Sequence, residues 1–210
     1  EQMQQATPSC IQMIEQCQTD TSVCAKAQTQ CNNALIGPYE QTGLNPYDIR
    51  RPCGSNPLCY DFSSVTTFLN SQRVLDALHI STESAKWESG NYKVNGMFAS
   101  DWMKGMEANV PPMIEGGVRA LIYAGDVDFI CNWMGNKAWT LALNWTHQSD
   151  FNKAPDHDWN VNGAKAGTAR TAGDNALTFL QINNAGHMVP MDQSEAALEM
   201  LRTFLSGGTF

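Results

Sequence analysis

The chain has 210 residues, of which 42% are hydrophobic and only 16% charged, with a formal net charge of -8 at pH 7. Its length suits one domain, or a large part of one, with a substantial core. An acidic chain without a Lys/Arg cluster does not suit nucleic acid or an anionic membrane surface, and it has no run of about 18 apolar residues to span a bilayer.

The N-terminal residues Glu1-Gln2-Met3-Gln4-Gln5 lack the apolar stretch of a signal peptide, so the sequence reads as one that begins after processing or a cut. Cys10, Cys17, Cys24 and Cys31 then recur every seven residues in a stretch, 10–36, that reads as helical. Sevenfold spacing keeps them near one helical face. All four pair only if the chain doubles back. A turn at Thr19-Asp20-Thr21-Ser22 would do this and would favour nested bridges, Cys10–Cys31 outside and Cys17–Cys24 inside, among the pairings four cysteines allow. Cys53 and Cys59 form a close pair at the end of a Gly-, Pro- and Asn-rich stretch, 37–57, that reads as loop, and Cys131 stands alone. Clustered, paired cysteines point to an oxidising compartment. The Cys-x-x-Cys and His spacings of zinc sites are missing, so no metal is expected.

Phe62 to Leu78 has helical periodicity. Met97, Phe98, Trp102 and Met106 suggest a further helix ending by Pro111-Pro112. Arg119–Ala124 reads as a short buried strand and Asn132–Trp145 as a helix. Asn144-Trp145-Thr146 is an N-glycosylation sequon, consistent with passage through a secretory pathway. Asp158–Gly173 reads as a hairpin turning at Gly163, and Leu177–Ile182 as a second buried strand. Asp192–Leu205 is an amphipathic helix whose apolar face comprises Ala196, Ala197, Met200, Leu201, Phe204 and Leu205. Alternating strands and helices imply an α/β sheet. The chain divides on this reading into a disulfide-rich cap segment, 1–60, and part of an α/β core, 61–210.

Two turns carry the residues with chemistry. Asp126 and Asp128 follow the first buried strand, and His187 follows the second within Asn183-Asn184-Ala185-Gly186-His187-Met188-Val189-Pro190. Sites of α/β sheets lie beyond the carboxyl ends of strands. Acid followed by histidine is the later part of the order Ser…Asp…His found in α/β-hydrolases. Taken singly, an aspartate in such a turn reads as a turn or cap residue.

The segments Ala124-Gly125-Asp126-Val127-Asp128-Phe129-Ile130-Cys131-Asn132-Trp133-Met134-Gly135-Asn136-Lys137-Ala138-Trp139 and Ala185-Gly186-His187-Met188-Val189-Pro190-Met191-Asp192-Gln193 resemble the acid and histidine segments of serine carboxypeptidases of the carboxypeptidase Y branch. Cys31-Asn32-Asn33-Ala34, Tyr47-Asp48-Ile49-Arg50, Leu58-Cys59-Tyr60 and Asp101-Trp102-Met103-Lys104 match as well. The resemblance implies the C-terminal half of an α/β-hydrolase fold carrying a disulfide-rich helical cap segment. It makes Asp128 the triad acid and His187 the base, and leaves Asp126 to bond turn amides. Asn32, Trp102, Ile130 and Cys131 fall on the pocket for the penultimate side chain of a peptide. Tyr47, Tyr60 and Met188 fall on the pocket for the released residue.

The family's nucleophile sits in a Gly-x-Ser-x-Gly elbow, and none occurs here. Glu83-Ser84 continues into Ala85-Lys86, and Glu88-Ser89 follows Trp87 rather than glycine. The resemblance therefore implies a separate N-terminal chain that carries the serine. Many relatives bridge the two halves through a cysteine where this chain has Gly90, so the two would associate without a covalent link. Peptides are the expected substrates, with no cofactor, in the vacuole, lysosome or secreted space. A related acyltransferase or hydroxynitrile lyase, or a non-catalytic relative, shares the same segments and is the alternative.

Overall fold

The computed structural model describes residues 1–81 and 86–210. Glu83, Ser84 and Ala85, which form one of the two failed elbow candidates, lie outside the described residues. The chain forms two compact units, one of residues 1–45 and 52–104, the other of residues 46–51 and 105–210.

The first unit opens with helix α1 (Gln2–Thr19), which gives way at Asp20 to extended backbone. The Asp20 carboxylate accepts the Ser22 amide at 2.9 Å and the Ser22 hydroxyl at 2.7 Å. This aspartate turn lets the chain reverse into helix α2 (Cys24–Cys31). The reversal brings the cysteines face to face, and the bridges Cys10–Cys31 and Cys17–Cys24 form in the nested order. Both bridges are buried and, with Ala27, make the interior of the hairpin. Cys53–Cys59 closes the small loop beyond. The helix expected over 62–78 is two, Ser63–Leu69 and Gln72–Ala77. Asn70 ends the first because its side chain turns to the Trp87 backbone, accepting its amide at 2.9 Å and donating to its carbonyl at 3.0 Å.

The second unit holds a four-stranded sheet. Strand β1 (Ala120–Gly125) is followed by helices α3 (Trp133–Ala142) and α4 (Gln148–Lys153). Strands β2 (His157–Val161) and β3 (Ala164–Ala172) turn at Asn162-Gly163, both at positive φ. Strand β4 (Leu177–Ile182) and helix α5 (Ser194–Ser206) complete the unit. The sheet order is β1-β4-β3-β2, with β1 and β4 parallel and the other pairs antiparallel.

The apolar run of β4 is covered on both faces. Leu177 and Phe179 join Ile114, Leu143, Trp145 and Phe151 on one side. Leu180 and Ile182 join Trp159, Val189, Ala197 and Met200 on the other. This alternation of a central strand between two layers is the arrangement of an α/β sheet. One expectation fails here. Pro111 and Pro112 open a short helix, Val110–Glu115, rather than close one, because a proline in the first turn forfeits no helical hydrogen bond. The amphipathic helix α5 forms as expected; on its apolar face Ala196, Ala197 and Met200 are buried and Phe204 half-buried, while Leu201 and Leu205 are exposed.

Candidate active site

The parallel register of β1 and β4 pairs Gly125 with Ile182, so the two strands end side by side. The turns that follow stay joined: the Asp126 amide donates to the Ile182 carbonyl at 3.0 Å and the Val127 amide to the Ala185 carbonyl at 3.1 Å. A Cβ on Gly125 would stand 2.1 Å from the Ala185 carbonyl oxygen, so this approach admits only glycine.

A third segment, residues 46–51, forms the remaining wall. The Pro46 carbonyl accepts the amides of Phe129 and Ile130, the Ile49 amide donates to Val127, and the Tyr47 carbonyl accepts the His187 amide at 2.8 Å. The sequence offered Tyr47 as a substrate contact. In the structure its carbonyl holds the histidine backbone and its ring lies 5.3 Å from the imidazole at 58°.

Within this frame Asp128 Oδ2 stands 2.9 Å from His187 Nδ1. The Asp128 side chain is 4% exposed and that of His187 is 37% exposed, so the pair is dry at the acid and open at the ring. The other carboxylate oxygen of Asp128 accepts the Cys131 amide at 3.2 Å. The Asp128 carboxylate, with help from the Cys131 side chain and against burial, raises the imidazole pKa from 6.5 to about 10. Cys131 is free and exposed, and its Sγ lies within 4.8 Å of the ligand atoms of both partners. These three donors share the geometry of a candidate metal group, yet Asp128 and His187 already bind each other.

Around the turn lies a polar layer in which the sequence offered a role for Asp126 alone. Asp48, whose side chain is 1% exposed, is gripped by Arg50 and by Arg51 Nε. The Arg50 guanidinium beside it holds its carboxyl below the usual range. Burial instead pushes the Asp126 carboxyl up, and its Oδ1 is buried without a partner. Asp192 Oδ2 accepts the Gly186 amide at 2.8 Å. The signal available in sequence was the charged cluster Asp48-Ile49-Arg50-Arg51 inside a loop with one other charge, Glu40.

Tyr47, Ile130, Cys131 and Met188 therefore belong to the same unit as Asp128 and His187. Asn32, Tyr60 and Trp102 belong to the first unit. Asn32 opens the short π-helix Asn32–Ile36, Tyr60 lies 5.7 Å from Phe62 between ring centres, and Trp102 is exposed. Ser89 is also a first-unit residue. Asn144, the sequon asparagine, is exposed. Among the described residues no helix is long and apolar enough to cross a membrane.

The family model described as serine carboxypeptidase matches residues 1–207. Carboxypeptidase Y homolog A of Leptosphaeria maculans is 46% identical over 210 residues, covering 98% of this chain and 38% of that protein. Carboxypeptidase Y of Komagataella phaffii is 44% identical over 203 residues, covering 94% of this chain and 38% of that protein. The chain thus spans less than two-fifths of the length of these curated relatives. The crystal structure of Kex1(delta)p, a prohormone-processing carboxypeptidase from Saccharomyces cerevisiae, superimposes with a TM-score of 0.75 at 24% identity, covering 97% of this chain and 46% of that one. The likeness shows the fold, that of an α/β-hydrolase.

Proposed function

Because this chain belongs to the serine carboxypeptidase family, we propose that it supplies the acid, Asp128, and the base, His187, of a Ser-Asp-His triad that removes C-terminal residues from peptides. The observation that carries the reading is the buried Asp128 carboxylate 2.9 Å from His187 Nδ1. An acid so placed fixes the imidazole tautomer and stabilises the imidazolium formed when Nε2 takes the serine proton. The serine oxygen then attacks the last peptide carbonyl. His187 returns the proton to the leaving amine, and an acyl-enzyme remains on the serine. Water, activated by the same ring, releases the shortened peptide. Tyr47, Ile130, Cys131 and Met188, which share a unit with the pair, are the residues proposed to contact the substrate.

The serine comes from polypeptide outside these 210 residues, which we take to be a separate N-terminal chain held without a covalent link. Two features support a missing neighbour. Among the described residues strand β1 pairs with β4 on one side only, and an unpaired edge invites a further strand. Beside it lies an apolar groove of about 500 Å³ lined by Leu121, Tyr123, Leu198, Leu201 and Phe204, larger than a monomer's scattered exposed residues require. Six of the seven cysteines pair within the chain, which supports association without a bridge. The disulfides and the exposed Asn144 sequon support glycosylation and residence in a vacuole, lysosome or the secreted space. Labelling the complete enzyme with a fluorophosphonate tests the assignment. The adduct is expected on a serine outside residues 1–210; an adduct on a serine of this chain, or full activity in His187→Ala, overturns it.

A further inference from the structure

The turn that carries His187 is held at successive backbone amides. Asn184 has a φ of 57°, in the left-handed region that side chains enter at a cost, so the turn needs support. The amides of Asn184 and Ala185 favour the ionised form of the Asp126 carboxyl. The Gly186 amide donates to Asp192 Oδ2 at 2.8 Å, and the His187 amide donates to the Tyr47 carbonyl at 2.8 Å. Gln193 Nε2 donates to the Asn184 carbonyl at 3.2 Å. Asp192 and Gln193 thus fold the segment after the histidine back onto the residues before it. Gly186 has no room to shift inward, since a Cβ there would stand 2.2 Å from the Tyr47 carbonyl oxygen and 3.2 Å from Asp192 Oδ2. The charge of Arg50, which grips Asp48, also reaches Asp192 and Asp126.

Resting on the triad reading above, we propose that Asp192 is a positioning residue for the reaction: by holding the Gly186 amide it fixes where His187 presents Nε2 to the serine. The imidazole is pinned at Nδ1 by Asp128, 2.9 Å away. If the peptide before it loosens, the ring pivots about that contact. The atom farthest from the pivot, Nε2, moves most, and Nε2 is the atom that transfers the proton. A charge-assisted hydrogen bond to a backbone amide is among the stronger neutral-donor contacts, so its loss loosens the turn at Gly186 while the neighbouring bonds to Asn184 and His187 remain. The same pivot leaves the substrate pockets where they are, so turnover suffers and binding does not.

The experiment uses the complete enzyme, this chain with its N-terminal complement, and reads kcat and KM per serine titrated by a fluorophosphonate. That normalisation removes losses due to misfolding. Asp192→Ala is expected to lower kcat about 10- to 100-fold with KM within about twofold, the scale of a misplacement near 1 Å. Asp192→Asn keeps an oxygen acceptor for the Gly186 amide and is expected within about threefold of the parent. Asp192→Glu keeps the charge but moves the carboxylate by a methylene, and is expected to lose more kcat than Asp192→Asn. A parental kcat in Asp192→Ala, a loss confined to KM, or an Asp192→Asn no better than Asp192→Glu overturns the proposal. Should Asp192→Ala not fold, the order of the Asn and Glu variants still decides. His187→Ala separates the two readings: activity there defeats the triad assignment, whereas an inactive His187→Ala beside a parental Asp192→Ala defeats only the positioning role.

Discussion

Asp128→Asn should return His187 from a cation held to high pH to a ring that titrates near neutrality. The carboxylate is the largest cause of the rise in the His187 pKa from 6.5 to about 10, and the Cys131 side chain is the second. Taken whole, a rise of that size corresponds to roughly 5 kcal/mol at about 1.4 kcal/mol per pH unit. The His187 side chain is 37% exposed, and water screens such a pair strongly, so a share of about 2 kcal/mol is the working figure. The sign follows from the raised folded-state value. The contribution is fully present below the unfolded pKa of 6.5 and is lost as pH climbs through the folded value near 10. The parent should therefore lose about 2 kcal/mol of unfolding free energy over that window through this group, and Asp128→Asn should show a flatter profile. The direct assay is a long-range 15N NMR titration of the His187 ring. In this chain without its serine-bearing complement the parent ring should lose its proton only near pH 10, and the variant at lower pH, with Cys131 retaining part of the effect. In the complete enzyme the ring must be neutral to take the serine proton, so a value still near 10 there would defeat His187 as the base. A parent ring that titrates near its ordinary value, or a variant midpoint equal to the parent's, would refute the reasoning. In the complete enzyme the same substitution should cost about 10⁴ in kcat, since an amide in this place favours the wrong tautomer.

Gly186→Ala should lower both stability and activity, because the new Cβ would stand 2.2 Å from the Tyr47 carbonyl oxygen; parental melting and kcat would show that the turn has room to move. A bulky maleimide on Cys131, whose Sγ lies within 4.8 Å of the His187 ligand atom, should slow hydrolysis of peptides with large penultimate side chains more than small ones, read as the ratio of kcat/KM values; equal losses would place the thiol outside the pocket. Replacing Cys17 and Cys24 together with serine, which opens a loop closed across seven residues, should destabilise the helical hairpin by about 2.5 kcal/mol in urea denaturation. Leu201→Asp, in the groove beside β1, should weaken association with the N-terminal chain while leaving the circular dichroism of this chain unchanged, as measured by native mass spectrometry.

What the sequence disclosed was the part of the fold built from short-range pattern. The run Leu177–Ile182 is a strand with the expected ends, because six apolar-rich residues between turn formers allow little else. The cysteines at spacing seven pair in the nested order that a doubled-back helix favours. What stayed hidden depends on contacts far along the chain. The break at Asn70 has a local part, since Asn70 and Ser71 side chains bond back to the Thr66 and Phe68 carbonyls, and a hidden part in the distant Trp87 backbone that Asn70 also holds. Nothing local marks Leu201 and Leu205 as uncovered, since periodicity reports which face is apolar and not what lies against it. The site divides in the same way. Asp128 and His187 are legible because each stands a few residues past a strand end, and two parallel strands in register bring such positions together. Their support is not legible, because it comes from a loop by composition, residues 46–51, whose carbonyls at Pro46 and Tyr47 hold both turns. Carbonyl oxygens belong to every residue, so no side-chain pattern could announce them. The base is thus readable from sequence while its placement is not, and placement is what separates a histidine beside an aspartate from one that can pass a proton.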